Sequence, residues 1–301
     1  GAGTLIAVVD SGVDLGHPDL SSKLVVNADA DFVEPAGNCT GNKRTGRTCT
    51  QDGPQDENGH GTHVAGIAAA LTNNGVGVAG TAPGARILPV RVLDDEGAGS
   101  TANVAEGIRY AAAKGADVIN LSLGFLTGVG ELNRLRGLLR PIYDAIDHAV
   151  SEGAVVVIAA GNEGAPVCAE PAAHPAVVCV GATDSRDLKA WYSNFDASTF
   201  KRFLVAPGGE GLVSCSQEVL STYLRGGDTD CSPAPGYEAI AGTSMAAPFV
   251  SGVAALLAGK GLGNAQIVSC LLDGADDLGV PGRDPVFGFG RLNALRAVNS
   301  C

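Results

Sequence analysis

The chain has 301 residues, of which 45% are apolar and only 17% charged, with 43 glycines and a formal net charge of −12. That much apolar sequence with so few charges buries a large core, which excludes a disordered chain, and no apolar stretch reaches the ~18 residues of a membrane span. The acidic balance excludes an electrostatic nucleic-acid partner; the longest basic cluster, Lys43-Arg44 with Arg47, reads as a solvated loop.

Residues 5–9 form a short continuous apolar run, the pattern of a strand buried on both faces, and Asp10 follows it. An irregular insertion spans 33–58. Residues 60–71 read as a helix rich in Ala and small side chains, and 86–93 as the next strand. A helix is expected over 101–114, with Ser100 as N-cap and Gly115 as its stop. A strand follows at 117–122, then a helix over 141–151 with Pro141 in its first position and Gly153 just past its end. Strands at 154–160 and 176–180 come next, then a second irregular insertion at 206–240 and a helix over 244–257. Strand–helix alternation of this kind implies an α/β fold, a three-layer sandwich with a mostly parallel central sheet and helices on both faces. No linker or repeat interrupts the chain, so 1–301 reads as a single domain. Gly1-Ala2-Gly3 reads as a processed or truncated start.

Eight cysteines stand at 39, 49, 168, 179, 215, 231, 270 and 301, none in a C-x-x-C pair. An even count at wide spacing in Gly/Pro-rich surroundings points to disulfides and an oxidising compartment. Local spacing suggests Cys39–Cys49, Cys168–Cys179, Cys215–Cys231 and Cys270–Cys301.

Parallel sheets bind ligands outside the carboxyl ends of their strands, which directs attention to Asp10, to Ser122-Leu123-Gly124 and to Gly161-Asn162-Glu163-Gly164. Taken singly, Asp10 reads as a cap, His60 as a structural histidine and Ser244 as an N-cap. His60 and His63 share a helix face, and chemistry alone does not choose between them as a base. The pair lacks both the i,i+4 spacing and the Glu of a zinc protease motif. An α/β-hydrolase is excluded because no His follows Ser244 and Ala246 replaces the second Gly of its nucleophile motif. A chymotrypsin-like chain is all-β, unlike this one.

Taken together, Val9-Asp10-Ser11-Gly12, His60-Gly61-Thr62-His63 and Gly242-Thr243-Ser244-Met245-Ala246-Ala247-Pro248 resemble the subtilisin-like serine proteases, the subtilases, in their secreted, thermitase-like bacterial branch. Asn120-Leu121-Ser122-Leu123-Gly124 and Ala160-Gly161-Asn162-Glu163-Gly164 match as well, in order along nearly the whole chain. The Asp…His…Ser order is a known property of that family. The resemblance implies a secreted endopeptidase acting on polypeptide substrates, with Asp10, His60 and Ser244 as triad and Asn162 as oxyanion donor; His63 is left to packing. It implies that Gly97-Ala98-Gly99 and Ser122-Leu123-Gly124 flank an extended substrate. Leu93, Val104 and Leu123 would line an apolar pocket for the fourth residue upstream of the cut, with Ser122–Gly124 and Ala159–Gly161 (including Ala160) walling the primary pocket. The floor of that pocket corresponds to the 168–179 segment, whose length departs from the family. Broad cleavage after large apolar side chains is expected, and a preference for Lys instead would mean that Glu163 or Glu170 reaches the pocket.

The loop Leu71-Thr72-Asn73-Asn74-Gly75-Val76-Gly77-Val78 resembles the family's structural calcium loop, which implies Ca²⁺ held by Asp19, Leu71, Asn74, Val76 and Val78. Family members carry some further residues before the first strand, including another oxygen ligand, so this set falls short of a full calcium shell. A pro-segment and lead-in are expected to be absent from this chain, and a monomer is expected. The rival class is a catalytically inactive binding or regulatory protein on the same fold; a serine-reactive phosphonate separates the two.

Overall fold

The structure, a computed structural model, describes residues 1–27, 30–33, 53–125, 132–197, 202–211, 214–227, 229 and 231–301, with backbone alone over 132–136. Six parallel strands form the central sheet: β1 (Leu5–Asp10), β2 (Arg86–Arg91), β3 (Val118–Leu121), β4 (Val155–Ala159), β5 (Val178–Thr183) and β6 (Arg202–Pro207), in the order β2-β1-β3-β4-β5-β6. Register runs straight across the sheet, for instance Asp10 opposite Arg91 and Val8 opposite Asn120.

Alternate side chains of each strand go to opposite faces, so the continuous apolar runs feed two cores. Ile6, Val8, Val155 and Val157 face one, together with α1 (His60–Ala69), α4 (Thr243–Ala258) and α5 (Asn264–Asp273). Ala7, Val9, Val156 and Ile158 face the other, beneath α2 (Thr101–Ala113) and α3 (Leu132–Ser151). A short helix, α6 (Ala294–Ser300), buries Ala297 against the first core. The fold is therefore the expected α/β sandwich. No helix among the described residues is long and apolar enough to cross a membrane.

Ser100 caps α2 as expected, accepting the Asn103 N–H at 3.1 Å. The expected start of α3 at Pro141 is corrected: the helix begins at Leu132 and Pro141 lies inside it. Proline removes one helical hydrogen bond and frees the carbonyl four residues back. Here that residue is Gly137, which is exposed, so water can satisfy it. The 206–240 stretch is not wholly irregular either. It holds the end of β6 and an antiparallel pair, β7 (Val219–Thr222) with β8 (Tyr237–Ile240). Ser221 and Thr222 donate their hydroxyls to the carbonyls of His63 and Thr62 in α1, at 2.8 and 2.7 Å. β6, α5 and α6 are elements the apolar pattern did not announce.

Three disulfides join Cys168 to Cys179, Cys215 to Cys231 and Cys270 to Cys301. Cys39 and Cys49 lie outside the described residues, as does most of the first insertion.

Candidate active site

Asp10 ends β1 and is fully buried. One of its oxygens, Oδ1, accepts the Ser11 N–H at 2.8 Å and lies 2.7 Å from His60 Nδ1. His60 opens α1, so the residue just before it must turn the chain. That residue is Gly59, at φ 104, a left-handed conformation that glycine adopts freely. Gly61 is required for another reason: a Cβ there would stand 2.1 Å from the Gly12 carbonyl oxygen. The missing side chain lets α1 approach the end of β1 and brings His60 to Asp10.

Behind the imidazole, buried Asp56 gathers the chain. Its Oδ1 accepts from the Ser11 hydroxyl and from the Asn58 and Gly59 N–H groups, each at 2.9 Å. Its Oδ2 accepts the Thr62 N–H at 2.9 Å and the Thr62 hydroxyl. Burial alone would lower the His60 pKa, but the charge and hydrogen bond of Asp10, with the charge of Asp56 behind, outweigh it and hold it above the ordinary imidazole value. His63 points elsewhere. Its Nε2 donates to the Glu238 carbonyl at 3.0 Å, and burial pushes its pKa down to about 3, so the ring stays neutral and does not take up a second proton near neutrality.

Ser244 lies in the first turn of α4, where backbone N–H groups have no intrahelical partner. Its hydroxyl donates to the Ser122 carbonyl at 3.1 Å. Asn162 follows β4, and its Oδ1 accepts both the N–H and the hydroxyl of Thr243 at 3.0 Å. A backbone N–H can only donate, so the Asn162 oxygen must face Thr243 and its NH₂ is presented outward.

His60 and Ser244 share a cleft of about 530 Å³ with Asn58, Leu93, Glu96, Gly97, Ala98, Gly99, Val104 and the 122–125 segment. A second pocket of about 130 Å³ adjoins it, lined by 123–125, Ala159, Gly161, Asn162, Glu163, Ala169, Thr243 and Ser244. The expected substrate-binding residues therefore gather around Ser244, with one exception. Ala160 is fully buried and lines neither pocket; its carbonyl accepts from the Ala169 N–H and from Asn194 Nδ2.

Asn194, Phe125 and Thr243 carry structure here that the sequence pattern does not single out. Asn194 Oδ1 accepts the N–H groups of Glu163 and Ala165, while its Nδ2 donates to Glu163 Oε2 at 2.7 Å. A lone Asn in a loop gives no signal of this. Of the two acidic residues considered for the primary pocket, Glu163 lines it and Glu170 does not. The Glu170 carboxylate turns instead to the Tyr143 hydroxyl on α3, and its carbonyl accepts the Phe125 N–H at 2.8 Å.

At the expected calcium loop, Asp19 is fully buried. Its carboxylate accepts from Asn74 Nδ2 at 2.5 Å, the Tyr237 hydroxyl at 2.9 Å and the Val78 N–H at 3.1 Å. All three donors are neutral. The Asn74 amide oxygen faces the Val76 N–H at 3.3 Å. Turning that amide over would exchange a donor for an acceptor beside the buried carboxylate. With the carbonyls of Leu71, Val76 and Val78 the set would then be all oxygen, so its donor chemistry suits calcium while its five ligands remain fewer than a full shell. Among the described residues, no group of three or more His, Cys, Asp or Glu could hold a metal.

The chain is similar to known proteins over nearly its whole length. Thermitase of Thermoactinomyces vulgaris is 40% identical over 298 residues, covering 99% of this chain and 89% of the relative. Subtilisin Savinase of Lederbergia lenta is 37% identical over 299 residues, covering 99% and 91%. Among solved structures, a lanthipeptide protease superposes with a TM-score of 0.79 at 29% identity, covering 99% of this chain and 88% of the other. A protease from Pseudoalteromonas arctica gives 0.78 at 32% identity, covering 99% and 90%. The model of the subtilase family matches residues 1–290; the chain belongs to that family and is a subtilisin-like serine endopeptidase.

Proposed function

We propose that Ser244 is the nucleophile, His60 the general base and then general acid, Asp10 the group that orients and stabilises the imidazole, and Asn162 an oxyanion donor. The observation that carries this reading is the 2.7 Å contact of buried Asp10 with Nδ1 of a partly exposed His60 that shares one cleft with Ser244. A carboxylate at Nδ1 fixes the proton there and leaves Nε2 free to accept one.

The Ser244 oxygen attacks the peptide carbonyl carbon while its proton passes to His60 Nε2, and the carbonyl π electrons move onto oxygen. The Asn162 NH₂ and the Ser244 N–H are the donors for that oxyanion, aided by the α4 N-terminus. When the tetrahedral species collapses, the C–N bond breaks and the imidazolium gives its proton to the leaving amine. Water, activated by the same histidine, then hydrolyses the acyl ester.

Apolar walls at Leu93, Val104 and Leu123 support a preference for apolar side chains upstream of the cut. The apolar walls of the smaller pocket, Leu123, Phe125, Ala159 and Ala169, support an apolar preference there too. The disulfides support a secreted, extracellular protein, and Asp19 with Asn74 and the carbonyls of Leu71, Val76 and Val78 would hold a stabilising calcium ion. Residues 1–301 act as one peptidase domain. Hydrolysis of unfolded casein tests the catalytic assignment: Ser244→Ala should abolish turnover in a folded protein, and retained turnover would refute it.

A further inference from the structure

Helix α4 carries a proline four residues after Ser244. An α-helix closes by donation of each backbone N–H to the carbonyl four residues back, and proline has no N–H. The Ser244 carbonyl thus loses its partner inside the helix, and a carbonyl left unpaired in a packed region is costly. The donor that reaches it comes from another element: Ser122 Oγ, at 2.8 Å, just past the end of β3.

Behind Ser122 stands a chain of buried groups. Asn120 Nδ2 donates to Ser122 Oγ at 3.0 Å, and Ser251 Oγ, one helical turn beyond Pro248 in α4, donates to Asn120 Oδ1 at 2.7 Å. Asn120 and Ser251 are fully buried and Ser122 nearly so. The directions are forced. A carbonyl only accepts, so the single hydroxyl proton of Ser122 goes to Ser244; its oxygen then accepts from an amide nitrogen, and the amide oxygen is left for Ser251. Ser122 also accepts the Ser244 hydroxyl on its own carbonyl at 3.1 Å, so it holds Ser244 at two points.

We propose that Ser251, Asn120 and Ser122 form a one-way hydrogen-bond relay that replaces the helical bond removed by Pro248 and holds the backbone of Ser244 in register with His60 and Asn162. Ser251 and Asn120 line neither pocket; they are positioning residues that act through Ser122. The inference rests on Ser244 being the nucleophile. A loosened first turn displaces the attacking oxygen, and such misplacement slows the chemical step far more than it weakens substrate binding.

The test is a double-mutant cycle on kcat and KM with a chromogenic peptide, alongside labelling of Ser244 by a peptidyl phosphonate. Ser251→Ala should lower kcat and the labelling rate roughly ten-fold or more with KM little changed, and Ser251→Thr, which keeps a hydroxyl, should restore both. Pro248→Ala returns a backbone N–H to the Ser244 carbonyl, so in that background Ser251→Ala should cause no further loss. Should Ser251→Ala not accumulate folded, Ser251→Cys, a weaker donor of similar size, should show a partial loss of kcat that again vanishes with Pro248→Ala. Unchanged kcat in the single variant, or equal losses in the two backgrounds, would overturn the relay alone. A wild-type protein that hydrolyses the peptide without labelling at Ser244 would overturn the triad assignment, and the relay with it.

Discussion

Asn162 and Thr243 are locked together: one amide oxygen accepts both the N–H and the hydroxyl of the residue beside Ser244, each at 3.0 Å. The lock decides which end of the amide meets the substrate, so the two side chains should fail differently. Asn162→Ala removes the donor itself and should lower kcat by roughly 10²–10³ with little change in KM, the size of loss that removing such a donor causes in a subtilisin. Thr243→Val keeps the backbone donor that orients the amide and should lose less than about ten-fold. Steady-state kinetics on succinyl-Ala-Ala-Pro-Phe-p-nitroanilide measures both; equal losses would count against the lock.

The pH profile follows from the environment of His60. Only the neutral imidazole accepts the Ser244 proton, and the Asp10 and Asp56 charges outweigh burial to hold its pKa above the ordinary value. The acid limb of kcat/KM should therefore lie above that ordinary value. Asp10→Asn removes the nearer charge, so it should move the limb downward while lowering kcat by about 10⁴. An acid limb that stays put in Asp10→Asn would mean that another group governs it.

Stability in acid should be limited by three other histidines. His17, His63 and His174 are buried, and desolvation lowers each pKa, His63 to about 3. The unfolded chain binds protons that these folded imidazoles refuse. Their contribution is thus complete above the unfolded histidine pKa and is lost as pH falls toward the folded values. Each proton taken up on unfolding steepens the loss by at most about 1.4 kcal/mol per pH unit. Urea midpoints between pH 7 and pH 5 should fall accordingly. In His174→Gln the slope should be shallower, and an unchanged slope would remove His174 from the account.

Much of the site was legible because its residues sit where the chain is most regular. Asp10 and Asn162 directly or nearly follow continuous apolar strands, and His60 and Ser244 stand at the mouths of small-residue helices. What escaped was tertiary. β6 is a short run of Phe203-Leu204-Val205-Ala206 between less patterned stretches, and α6 buries little beyond Ala297. The helical start at Leu132 was hidden by Pro141, which local rules place at a beginning. Asn194 and the Ser251–Asn120 contact depend on partners far away in sequence, and no local pattern encodes them; Asp56 binds Asn58, Gly59 and Thr62 close by, but its tie to Ser11 is equally remote.

Calcium should raise thermal stability without altering the chemical step, since Asp19 and the 71–78 loop share no residue with the triad. A site at a free calcium concentration of 100 Kd would contribute roughly 2.7 kcal/mol. Melting in millimolar calcium against EGTA should separate the midpoints, and Asp19→Asn should erase the difference. Identical midpoints for the wild-type protein, with no calcium found by elemental analysis, would remove the ion from the account.

The central claim is that Ser244 is activated by His60 held on Asp10. Intact-mass measurement after treatment with a peptidyl diphenyl phosphonate, followed by peptide mapping, tests it most directly. A single adduct on Ser244 is predicted, formed quickly in the wild-type protein, at least roughly 10³-fold more slowly in His60→Ala and not at all in Ser244→Ala. An adduct on another residue, or labelling of Ser244 at an undiminished rate in His60→Ala, would contradict it.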